Sequence, residues 1–150
     1  SPAVSGWLGT RRAVAAMILL GFGVVVSATL VPTPAALDGF ASDGVCDLSR
    51  LGLAPIDDLR RVTDASLNVV LFVPLGFAVG LLPRTRSAVL AALAAISLTF
   101  IVETLQLVLT PLGRGCQTAD IFDNLLGLAI GATIGMAVHA ARAWPADTHE

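Results

Sequence analysis

Residues 87–112 read SAVLAALAAISLTFIVETLQLVLTPL, a long apolar run interrupted by a single charge, Glu103. An α-helix rises about 1.5 Å per residue, so about 20 apolar residues cross a hydrocarbon core of about 30 Å. This run is long enough, and it lacks the strict alternation of a membrane-spanning strand. Three more runs read the same way: 13–31, 65–82 and 124–141, closed respectively by Pro32 and Pro34, by the stretch Pro83-Arg84-Thr85-Arg86, and by Arg142. The composition agrees, with 55% hydrophobic residues, 13% charged residues and a mean hydropathy of +0.83. An average soluble domain carries roughly 25% charged residues. The sequence predicts an all-α, polytopic helical membrane protein. It is a bundle of about four transmembrane helices with a longer first extracytoplasmic segment, 32–64. Residues 1–12 read as a cytoplasmic stub, 13–142 as the membrane domain and 143–150 as a flexible tail.

A net charge of −2 excludes a basic field able to grip nucleic acid, and two cysteines cannot staple a small secreted domain. All nine basic residues are arginine. With abundant alanine, this composition points to a high-GC bacterial gene. Arginines close to the span ends set the orientation. Arg11, Arg12, Arg84, Arg86 and Arg142 face the cytoplasm if both termini lie inside. Arg50, Arg60, Arg61 and Arg114 then lie outside among most of the acids. The expected location is the bacterial plasma membrane, multi-pass, with the lipid bilayer as partner. The first run is too long for a signal-peptide core and no clean Ala-x-Ala follows it, so it reads as an anchor. The chain opens on Ser1 rather than Met, which leaves room for preceding residues.

Glu103 is costly inside hydrocarbon, roughly 2.5–3.5 kcal/mol at mid-span, and needs protein or water beside it. It lies about three turns below the outer end of a span that runs to 112. Thr99, Glu103, Gln106 and Thr110 follow helical spacing and share one face. On the second span, Asp64 and Asn68 are four apart and precede Pro74, which removes a backbone donor and is expected to kink the helix and open a cavity outward. The fourth span opens on Asp120, Asp123 and Asn124. It continues with Gly127, Gly131 and Gly135, a flat seam for close helix packing; Gly76 and Gly80 on the second span form a further glycine seam. Arg114 reaches the same outer mouth. Asp64, Asn68, Glu103, Gln106, Arg114, Asp120, Asp123 and Asn124 are therefore the candidate ligand-binding residues of an outward-facing polar pocket. Pro74, Gly76, Gly127, Gly131 and Gly135 are candidate structural residues. The competing reading is a hydrogen-bond cluster that only holds the helices in register.

Cys46 and Cys116 both fall outside in this topology, where a disulfide is permitted, and a bridge would tie the first outer segment to the loop before the last span. Pro55, Asp57 and Asp58 look like a helix start. The pairs Asp57–Arg61 and Arg60–Asp64 at i,i+4 predict that this helix runs on into the second span.

The ordered pieces NVVLFVPLG at 68–76, ETLQ at 103–106, Gly113-Arg114, and DIFDNLLG at 120–127 followed by Gly131 resemble the VanZ-like family of small bacterial membrane proteins. The resemblance covers about residues 60–140. It implies a role in the cell envelope, since the founding member is associated with low-level resistance to the lipoglycopeptide teicoplanin, and it names no reaction. Cys46 and Cys116 lie outside the resembling pattern.

The leading expectation is a binding protein. Its pocket recognises an envelope lipid, a lipid-linked wall precursor or an amphiphilic drug, with Arg114 on an anionic head group. An alternative is an enzyme on such lipids, with Glu103 paired to Asp120 or Asp123 as acid and base or holding a divalent cation. Against it, the histidines are His139 and His149, at or beyond the inner end of the last span, and no zinc-ligand or Walker motif is present. Hence no catalytic residue, metal or cofactor is assigned. A third reading is a structural partner that docks on another membrane protein through the glycine seams.

Overall fold

A computed structural model describes residues 2–83 and 85–143. Four helices form the body: α1 (Pro2–Leu30), α4 (Asp64–Gly80), α5 (Arg86–Val108) and α6 (Thr118–Ala143). Between them lie the short helices α2 (Pro34–Leu37) and α3 (Ile56–Leu59), a 3-10 turn at Thr110–Leu112, and two-residue strands β1 (Cys46–Asp47) and β2 (Cys116–Gln117). The all-α polytopic expectation holds. Arg12–Leu30, Arg86–Val108 and Thr118–Arg142 are long and apolar enough to cross a membrane, whereas α4, at 17 residues, is shorter. At about 1.5 Å per residue α4 reaches roughly 26 Å, slightly less than a hydrocarbon core.

The sequence boundaries shift in three places. Helix α1 already begins at Pro2, so the expected stub is helical, and residues 144–150 of the expected tail lie outside the described residues. The helix of the third run stops at Val108 rather than continuing to 112. Pro111 cannot donate to a continuing ladder, and Leu109 leaves helical geometry at φ −91, ψ 62 before the 3-10 turn starts. The helix expected to run from Pro55 into the second span is instead broken. Thr63 takes an extended φ −128, ψ 168 and caps α4 reciprocally with Ser66. That break takes Arg60 and Asp64 out of helical register, and neither expected i,i+4 ion pair forms among the described residues.

The closest packing joins α4 to α6, which run in the same direction. Along the seam Gly127, Gly131 and Gly135 face the carbonyls of Val69, Val73 and Phe77 one turn after another, while Gly76 and Gly80 face those of Leu128 and Ala132. A Cβ at any of these five positions would collide with the opposing backbone. The missing Cβ marks a Cα–H direction, so the contacts have the geometry of weak Cα–H···O bonds, about 0.5–1 kcal/mol each. Since lipid is as apolar as leucine, such close backbone approach, rather than hydrophobic burial, drives association. The seams are thus used within the chain and are not free to dock another protein.

Beneath the polar end sits a core of Val25, Phe72, Leu75, Ala95, Leu98, Val102 and Leu128, drawn from all four long helices. Outward, Leu19, Leu20, Val24, Leu90, Leu93, Phe100 and Ile101 are exposed, which suits acyl chains as solvent. Pro74 lies within α4 without ending it. It cannot donate to the carbonyl four residues earlier, that of Val70, and Val70 lies on the cavity wall.

Segments 31–63 and 109–117 close one end of the bundle. The strands pair in parallel with Cys46 opposite Cys116, and these two cysteines form a disulfide across a Cα–Cα distance of 4.5 Å. Thr33 N donates to Leu112 O at 3.0 Å and Ser42 N to Thr110 O at 3.0 Å. Gly113 ends the 3-10 turn at φ +63, where a side chain would also strike Thr33 and Ala36.

Candidate functional site

Under this cap, the ends of α1, α4, α5 and α6 surround a cavity of about 560 Å³. Of the predicted pocket residues, Asp64, Asn68, Glu103, Gln106, Arg114, Asp120 and Asn124 line it. The helical spacing read from the sequence explains α5's share. Thr99, Glu103 and Gln106 are all buried on its inner face, while Thr110 has left the helix for the 3-10 turn. Because α5 ends at Val108, Glu103 lies only about 7 Å along the helix from that end, shallower than expected.

Each lining group has a structural reason for its position. Glu103 is 4% exposed, and its Oε2 accepts from the backbone N–H of Gln117 at 2.8 Å, which ties α5 to β2. Gln106 donates from Nε2 to Thr29 O at 3.2 Å, near the C-terminal end of α1. That carbonyl can only accept, so the amide is oriented and the other amide atom is an oxygen. This Oε1 is buried without a partner among the described residues, as is Oδ1 of Asn124. Buried polar atoms normally find partners, so two orphaned acceptors on one cavity wall are informative. Arg114 Nε donates to Val31 O at 2.9 Å, and the guanidinium forms no ion pair among the described residues. Asp120 and Asp64 come from the first turns of α6 and α4, next to Asn68.

Asp123 does not line the cavity, contrary to expectation. Its fully buried carboxylate accepts two hydrogen bonds from Arg50, Nη1 to Oδ1 at 3.2 Å and Nη2 to Oδ2 at 2.5 Å. Asp123 is therefore committed to a structural pair and is not a free acid, base or cation ligand beside Glu103. Arg50 also donates to Gly52 O at 3.0 Å, and Thr118 Oγ1 donates to Asp47 O and Arg50 O. The hydrogen bond to Asp123 holds the Arg50 guanidinium above its ordinary pKa, against the opposing effect of burial. Arg50 was not among the predicted residues, because a partner 73 positions away leaves no local trace. Thr29, Thr33 and Gln117, also on the cavity wall, were likewise missed. Thr29 stood inside an apolar run as an unremarked polar residue, and that was the available signal.

A family model described as VanZ/LLP1 matches residues 15–139. The chain belongs to the VanZ/LLP1 family. The match takes in every lining residue named above, and it extends well before residue 60, where the sequence resemblance began. Searches of curated proteins and of solved structures gave no match. In this VanZ/LLP1 protein the apolar helices and the family together make it a membrane protein. Among the described residues, no three His, Cys, Asp or Glu side chains are gathered closely enough to hold a metal ion.

Proposed function

We propose that this VanZ/LLP1 protein binds the polar headgroup of an amphiphile from the outer leaflet of the bacterial cell membrane. The amphiphile is an envelope lipid, a lipid-linked wall precursor or a lipoglycopeptide-type antibiotic. The observation that carries this reading is the cavity itself. It combines carboxylates, amides and a guanidinium with apolar Leu67 and Val70 at its wall, both of which are also exposed. A hydrogen-bond cluster that served only to fix register would satisfy its members internally, whereas Gln106 Oε1 and Asn124 Oδ1 have no partner among the described residues. In this reading both termini lie in the cytoplasm and the cap faces outward, and the disulfide supports it because such a bridge is stable outside the cytosol. Sequestering an acylated drug or its lipid-linked target at this site links the protein to glycopeptide resistance of the teicoplanin type.

The test is expression in a teicoplanin-susceptible bacterium, with inhibitory concentrations compared for the native chain, Glu103→Ala and Arg114→Ala. Both variants should lose any protection while accumulating normally in the membrane. Undiminished protection by both refutes the reading.

A further inference from the structure

The charges around the cavity are not balanced for a plain anion. Three carboxylates, Asp64, Glu103 and Asp120, line it together with a single guanidinium, Arg114. The orphaned acceptors Gln106 Oε1 and Asn124 Oδ1 belong to side chains only 5% and 1% exposed. Five acceptor groups therefore line one cavity, and among the described residues nothing donates to two of them. A ligand completing this site brings N–H or O–H donors and positive charge inward, while its negative charge stays near Arg114. Depth along the helices separates the two ends. Glu103 and Asn124 lie about 7–9 Å inside the outer ends of α5 and α6 by helix rise. Arg114 sits in the closing loop, bonded to Val31 O just past the end of α1.

We propose that the cavity selects a phospholipid whose headgroup carries a primary ammonium beside its phosphate, the chemistry of phosphatidylethanolamine. The ammonium sits among Glu103, Gln106 Oε1 and Asn124 Oδ1, and the phosphate lies against Arg114. A primary ammonium has three N–H donors, matching these three acceptors, and its charge suits the carboxylates. A quaternary ammonium has the charge and no N–H. A glycerol headgroup has hydroxyl donors and no positive charge. This specificity rests on the headgroup-binding reading above, and the acyl chains lie along the exposed Leu67 and Val70.

The experiment is native mass spectrometry of the full chain in detergent, titrated with phosphatidylethanolamine, phosphatidylcholine or phosphatidylglycerol of identical chains. Soluble glycerophosphoethanolamine serves as a competitor. The ethanolamine lipid should bind roughly tenfold tighter than the other two, the difference expected from one charge-assisted hydrogen bond. Glu103→Gln and Asp120→Asn should each reduce that preference, and Asp120→Asn removes a charge while keeping an oxygen that can accept from Asn68. Equal binding of all three lipids overturns the specificity and leaves the headgroup-binding reading in place. No binding of any lipid overturns both. Displacement by the soluble competitor at the lipid's own concentration overturns the membrane source of the ligand.

Discussion

Removing Arg50 should cost far more than removing its partner. Asp123 is fully buried, and the guanidinium satisfying its two oxygens belongs to Arg50, whose side chain is 30% exposed. Arg50→Met leaves a buried carboxylate unpaired, a loss of about 3–5 kcal/mol. Asp123→Asn leaves a guanidinium already reaching water, which re-solvates, so the loss should be about 1 kcal/mol. The double variant Arg50→Met/Asp123→Leu should recover to within about 1 kcal/mol of the native chain, because an apolar pair of similar volume carries no desolvation penalty. The assay is unfolding in mixed micelles by titrated dodecyl sulfate, followed by far-ultraviolet circular dichroism for all four proteins. A guanidinium whose folded pKa is raised contributes fully below its ordinary pKa and loses that contribution only above it. The penalty of Arg50→Met on the arginine side should therefore be flat from neutral to mildly alkaline pH. Equal losses for the two single variants, or a double variant as unstable as Arg50→Met, would refute the argument that the burial of Asp123 sets the energy.

Gly131→Leu should prevent α4 from seating on α6 and abolish a monodisperse gel-filtration peak, while Gly23→Ala, which has open space, should stay within about 0.5 kcal/mol of native stability. Replacing Cys46 and Cys116 by serine releases a loop spanning 70 residues, for which chain entropy sets an upper bound of about 4 kcal/mol. A melting temperature unmoved by reductant in the native chain would contradict that. In the cysteine-free background, Asp38→Cys should react with an impermeant maleimide from outside intact cells, and Thr85→Cys only after permeabilisation. The reverse pattern would invert the topology.

The membrane bundle was legible because burial in lipid demands long uninterrupted apolar runs, and the polar stripe on α5 was legible because helix periodicity is local. That is why Glu103 and Gln106 of α5 were found with Asp120 and Asn124 of α6 around one cavity. The glycines at 76, 127, 131 and 135 were legible as a seam, but the identity of the partner was not, since only the packed chain shows α6 lying on α4. Asp123 was misassigned for a related reason. Periodicity places it near the mouth, and nothing in its own helix reveals that Arg50, from an irregular segment, claims it. The end of α5 and the break before α4 hinge on Pro111 and Thr63. Here a single turn or cap residue overrode a continuous hydrophobic or charge pattern.

The parallel seam between α4 and α6 carries a consequence for biogenesis. A ribosome delivers α4 well before α6, with α5 and the closing loop in between, so the tightest contact among the described residues waits until α6 has been made. Until then α4, the shortest of the four long helices and interrupted by Pro74, shows a bare glycine groove to the lipid. A chain cut off before Thr118 would therefore leave Gly76 and Gly80 without the backbone that covers them.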